Sequence, residues 1–169
     1  ECGVCNGDGI ADSACDCEGT LPEDLSIAGS ISAGGFHSLA LTTSGEVIAW
    51  GRDDYGQADV PEGLSDVVEI SSGGYHTLAL TTSGEVVAWG SNSFDQLDVP
   101  EGLSDVIDIS AGGFHSLALT ASGEVIAWGQ DVNGQLDIPE GLSDVIDISA
   151  GGYFSLALTA SGEVIAWGQ

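Results

Sequence analysis

Methionine and lysine are both absent from this 169-residue chain, and Arg52 is its one permanently cationic side chain, beside three His and against 27 Asp and Glu. The formal net charge of −26 repels nucleic-acid phosphates and anionic lipid headgroups, so neither nucleic acid nor membrane insertion is expected. Long apolar runs are missing too: although 43% of residues are hydrophobic, no stretch approaches the length of a membrane-spanning helix. Two readings of the acids stay open. They form either a solvated surface suited to a saline medium or specific cation sites. A chain that starts at Glu1 and holds no Met is expected to be a mature form after cleavage or a piece of a longer polypeptide. A processed secreted protein no longer carries its signal peptide.

Cysteine is absent from all but the first 17 residues, where it stands at Cys2, Cys5, Cys15 and Cys17. An even number in a short Gly- and Asp-rich stretch reads as a disulfide framework from an oxidising compartment. Cys15 and Cys17 are poorly placed to bridge each other, so each is expected to reach back to Cys2 or Cys5. Zinc is the rival reading, because Cys2-x-x-Cys5 has suitable spacing, but the second pair is CxC and the nearby acids suit a harder cation. Asn6, Asp8 and Asp12 surround Gly9 at a spacing that echoes calcium loops, with Asp16 as a further candidate ligand, so two readings stay open: a Ca²⁺ site, or an ordinary disulfide-held loop with no cofactor. The usual first acid is missing, because Val4 occupies its place. Residues 1–20 thus form a Cys-rich head, 21–24 a short joint, and 25–169 the main body.

That body repeats one sentence. Gly34-Gly35 recurs as Gly73-Gly74, Gly112-Gly113 and Gly151-Gly152, and Trp50 as Trp89, Trp128 and Trp167, each step 39 residues. A period of this length means units too small to bury a core alone, which must stack on their neighbours. Within a unit, Val106-Ile-Asp-Ile-Ser110 is β-branched and alternating, and Gly112-Gly113 is a turn or bulge. His115 to Thr120 is a second strand with Leu117 and Leu119 on one face. Ala121-Ser-Gly123 is a tight hairpin turn, and Glu124-Val-Ile-Ala-Trp128 is a third strand ended by Gly129. Gln135-Leu-Asp-Ile138 reads as a short fourth extended piece, stopped by Pro139. Helical spacing of apolar residues is absent throughout. The fold class is therefore all-β, with blades of a propeller.

The segments Ala111-Gly-Gly-Phe-His-Ser-Leu-Ala-Leu-Thr, Gly123-Glu-Val-Ile-Ala-Trp-Gly129 and Asn133-Gly-Gln-Leu-Asp-Ile-Pro139 resemble the RCC1 (regulator of chromosome condensation) repeat, in its short bacterial, BLIP-II-like form. The resemblance covers residues 25–169 and implies a seven-bladed β-propeller. The head resembles the CGVCxGDG segments of extracellular proteins, in the style of thrombospondin type 3 repeats. Seven blades need seven repeats, and this chain holds about 3.5. It is then a fragment, or one of two copies that complete a ring, or a subunit whose repeats continue from chain to chain into a filament.

Nothing in the chain reads as catalytic, and no enzyme activity is expected: every candidate residue is repeated, whereas active sites are usually singular. His37, His76 and His115 alternate with Phe154 in the fourth unit, which favours packing over metal binding. The Trp series reads as inter-blade core. The acids recur as Glu46, Glu85, Glu124 and Glu163, as Asp59, Asp98 and Asp137, as Glu62, Glu101 and Glu140, and as Asp66, Asp105 and Asp144. Such rows bind Ca²⁺ only where two or three oxygens converge. The first functional expectation is a secreted or cell-surface structural protein that assembles with itself. The alternative is an extracellular propeller that binds a protein or glycan through its variable loops 52–56, 91–95 and 130–134. Their candidate contacts are Arg52, Asp53, Asp54, Tyr55, Asn92, Phe94, Asp131 and Asn133. The nucleotide-exchange and chromatin roles of the family find no support in so acidic a chain, and its β-lactamase-inhibitor role rests on loop residues that a fold-level match does not transfer.

Overall fold

A computed structural model describes residues 27–169. The cysteines Cys2, Cys5, Cys15 and Cys17, the oxygen set Asn6, Asp8, Asp12 and Asp16, and the boundaries of the head and joint lie outside the described residues.

Each unit forms one three-stranded antiparallel sheet in simple meander order. The first sheet is β1 (Ile27–Ala33), β2 (His37–Thr42) and β3 (Val47–Gly51). The second is β4 (Val67–Ser72), β5 (His76–Thr81) and β6 (Val86–Gly90). The third is β7 (Val106–Ala111), β8 (His115–Thr120) and β9 (Val125–Gly129), and the fourth is β10 (Val145–Ala150), β11 (Phe154–Thr159) and β12 (Val164–Gly168). The hairpin between the second and third strands closes at Gly45, Gly84, Gly123 and Gly162, which all sit at positive φ, where only glycine rests without strain. First strands of successive sheets lie beside one another, while third strands stand apart. The sheets therefore radiate as blades, with β1, β4, β7 and β10 at their inner edge.

The structure differs from the sequence reading at the fourth extended piece. Gln135–Ile138 is a turn and not a strand. Its backbone groups are satisfied within the loop: Leu136 N donates to Asp131 Oδ1 at 2.9 Å and Asp137 N to the Gly134 carbonyl at 3.1 Å. The Ile138 N also bonds locally, to the Leu136 carbonyl at 2.8 Å, and the blades have three strands. Four three-stranded sheets stand among the described residues.

The core lies between blades rather than within them. Leu78 and Leu80 of the second blade pack with Val106, Ile109, Ala118 and Trp128 of the third. Equivalent clusters join the first blade to the second and the third to the fourth. Each junction has the same polar stitching. Gly35 N donates to the Gly73 carbonyl, Gly74 N to Gly112, and Gly113 N to Gly151, all at 3.0 Å. The indole Nε1 of Trp89, Trp128 and Trp167 donates to the carbonyl of Gln57, Gln96 and Gln135, in the loop that precedes its blade. The glycine pair is required for this close approach, since a Cβ on Gly113 would lie 2.5 Å from the Gly152 carbonyl oxygen.

Candidate docking surface

The histidines explain how the blades align. His37 Nε2 meets Thr77 Oγ1 at 2.7 Å, His76 Nε2 meets Ser116 Oγ at 3.0 Å, and His115 Nε2 meets Ser155 Oγ at 3.0 Å. Each hydroxyl donates its own proton to the Gln57, Gln96 or Gln135 carbonyl. The imidazole must therefore be the donor, which fixes the neutral Nε2–H tautomer. Burial pushes His76 down to about 3 and His115 down to about 4. Burial also lowers His37, with Asp53 opposing it. These side chains are a relay from blade to blade, and Phe154 stands where no such hydroxyl is present among the described residues.

Antiparallel pairing puts the turn between first and second strands at the same end as the exit of the third strand: His37 pairs with Gly51, and Ala33 with Ser38. The variable loops therefore share one end of the molecule with the residue that follows each glycine pair. That residue is always aromatic. Phe36, Tyr75, Phe114 and Tyr153 form a ladder, with successive ring centroids 5.0, 5.7 and 5.9 Å apart and planes splayed by 25–35°. Tyr55 meets Tyr75 edge-on at 5.5 Å, and Phe94 meets Phe114 edge-on at 5.3 Å. Phe36, Tyr55, Phe94 and Tyr153 are each about half exposed.

Of the loop residues expected to contact a ligand, the structure separates two groups. Asp53, Asn92 and Asp131 occupy one repeat position and staple the loop, their Oδ1 accepting from Ala58, Leu97 and Leu136 N at 2.8–2.9 Å. Arg52, Asp54, Tyr55 and Phe94 lie at the ladder. The Arg52 guanidinium sits 5.3 Å from the Phe36 ring centroid and pairs with the Asp54 carboxylate. Asn133 is the third-loop equivalent of Tyr55 and Phe94; its backbone N donates to Gln135 Oε1, as theirs do to Gln57 and Gln96. Sequence reasoning missed the ladder itself. The signal was present, because an aromatic side chain recurs between Gly-Gly and His or Phe in all four units.

The acids take different places. At the opposite end of the blades, Glu101, Asp105 and Glu124 line an open groove of about 650 Å³ floored by Pro100, Leu103 and Ile126. The same groove recurs in the neighbouring units. On the inner strands Glu69 and Asp108 approach each other between blades. Burial first, then a hydrogen bond and repulsion from Asp108, push the Glu69 carboxyl up to about 8. Burial also raises Asp108. Among the described residues no three His, Cys, Asp or Glu side chains converge as a metal site.

The model for the regulator of chromosome condensation (RCC1) repeat matches residues 30–57, 67–96, 106–135 and 145–169. The chain belongs to the RCC1 repeat family. The matched segments take in the ladder, the histidine relay and the loop glutamines. No match was found among curated proteins. Among solved structures, this RCC1-repeat chain resembles Prp20p from Saccharomyces cerevisiae, described with its binding properties to Gsp1p and histones. Identity is 24%, coverage 88% of this chain and 46% of that one, and the TM-score 0.75. Yeast RCC1 (Prp20) bound to Kap60 matches at 25% identity, 88% and 45% coverage, and TM-score 0.74. The CRINKLY WD40 ectodomain of the Arabidopsis thaliana receptor kinase ACR4 matches at 25% identity, 82% and 50% coverage, and TM-score 0.70. The chain spans about half the length of these structures.

Proposed function

We propose that this chain is a non-enzymatic, secreted or cell-surface docking module that binds a protein partner on the end carrying the aromatic ladder. The observation that carries the reading is the ladder: six aromatic side chains gathered beside the loops that vary most between near-identical units. Exposed aromatic clusters mark interaction sites, and aromatic residues dominate interface energetics. Protein binding by the relative Prp20p, the yeast RCC1, and the ectodomain setting of ACR4 agree with it, as does the Cys-rich composition of residues 1–20. A random-peptide display selection against the chain tests it. Selected clones should lose binding to a chain whose three variable loops are made identical, or to Tyr153→Ser. Clones indifferent to both changes would reject the reading.

A second reading, self-association through blade faces, has its own observation. Ile31 is 76% exposed while its equivalents Ile70, Ile109 and Ile148 are buried, and Val164 is 63% exposed while Val47 and Val125 are buried. Gly152 meets nothing, whereas Gly35, Gly74 and Gly113 each touch the next blade. These faces fit another blade, whether from more of the same polypeptide or from a second copy. Phe154 weakens the second option, because opposite Ser38 it cannot repeat the histidine-to-hydroxyl bond. Phe154→His is expected to raise the association constant of the 169-residue chain in sedimentation experiments, and Val164→Asp to abolish association. A chain that stays monomeric both unchanged and with Phe154→His, at concentrations up to millimolar, would rule this reading out.

A further inference from the structure

We infer that the ladder end recognises arginine side chains of an extended basic segment in its partner. The inference rests on the docking reading above and names the partner's chemistry.

Three observations converge. First, the chain holds its own example of the contact: its single arginine, Arg52, lies over Phe36 and pairs with Asp54 at this same end. A guanidinium that stacks on a ring while a carboxylate takes its N–H groups uses both of the features that separate arginine from lysine. Second, the equivalent positions in the next two units are Ser91 and Gln130, so Tyr75 and Phe114 have no such cation from their own loops. Third, the surroundings are acidic: Asp53, Asp54, Asp95 and Asp131 stand in the loops beside the rings, within a net charge of −26. Asp95 is held at φ 61 on the residue after Phe94. A basic partner is drawn in by the field, and the rings select among basic side chains.

The spacing suits an extended peptide. Alternate side chains of a strand lie roughly 6.6 Å apart on one face, close to the 5.0–5.9 Å steps of the ladder. Arginine at every second position would meet about one ring each.

The test uses the whole chain and two synthetic probes, Gly-Arg repeated four times and Gly-Lys repeated four times, titrated by calorimetry at moderate salt. The arginine peptide should bind about tenfold more tightly than the lysine peptide. Tyr75→Ser with Phe114→Ser, which leaves net charge unchanged, should remove that preference. Tyr153→Ser, at a half-exposed ring, should weaken it if the double variant fails to fold. Arg52→Ala should strengthen arginine binding roughly two- to threefold by freeing Phe36 and Asp54. Glu101→Gln, in the groove at the opposite end, should change nothing beyond its small charge effect. Equal binding of both peptides, insensitive to the rings, would mean diffuse attraction to an acidic protein and would overturn the inference. Absence of arginine-peptide binding would do so too. Display clones that depend on the ladder yet carry no arginine would overturn it while leaving the docking reading in place.

Discussion

At the scale of single residues, the glycine pair is the tightest constraint in the chain. A Cβ at Gly113 would press on the Gly152 carbonyl at 2.5 Å, but one at Gly152 meets nothing within 4 Å. Gly113→Ala is therefore expected to destabilise by about 1–3 kcal/mol, and Gly152→Ala by no more than about 0.5 kcal/mol. Thermal unfolding of the two variants side by side checks this. Charge makes a second prediction. Glu69 has its folded pKa raised to about 8, with Asp108 and Asp147 facing it. Its contribution is present in full below the ordinary value of about 4.5 and is lost as pH rises toward 8. Glu69→Gln should flatten the decline of the unfolding midpoint between about pH 4.5 and 8; an unchanged profile would show that the carboxyl is not held protonated. His76 and His115 act in the opposite direction. Their depressed values mean stability that is present above about 6.5 and lost as pH falls toward 3–4. Of these features the sequence disclosed only the glycine period. The histidine-to-hydroxyl relay joins residues 40 positions apart, one period plus one. It is visible in retrospect as His facing Thr77, Ser116 and Ser155, but only once the blades are stacked.

Elements were legible where periodicity governs them. Strands, the hairpin glycines and the buried tryptophan follow from alternation and the 39-residue step. The loop after each third strand was not, because Gln-Leu-Asp-Ile has strand-like composition while its hydrogen bonds close locally through Asp131 and Gln135. The ladder escaped for a related reason: rings 39 residues apart in sequence come together, at 5.0–5.9 Å, only when the blades stack. A further loop feature lay below the resolution of pattern reading. Asp66, Asp105 and Asp144 sit at φ 54–57, a left-handed conformation that Asp tolerates better than most side chains. Asp105→Val should cost about 1–3 kcal/mol, while Asp105→Gly should be close to neutral. Chemical denaturation measures both, and equal stability of the two would show that the backbone there is unstrained.

As a whole, the molecule is a row of blades that bury their core only against one another. The same repetition that makes the fold readable makes the function hard to read, since near-identical units hide which end is used. The docking reading proposed above rests on the exceptions: the loop positions that vary most, the half-exposed rings of the ladder and the one arginine lie at the same end. Titration of the isotopically labelled chain with the Gly-Arg peptide, followed by NMR, tests this placement most directly. The account predicts shifts in the rings of Phe36, Tyr75, Phe114 and Tyr153 and in loops 52–58 and 91–97. Shifts confined to the Pro100–Asp105 grooves, or to the open face around Val164, would contradict it.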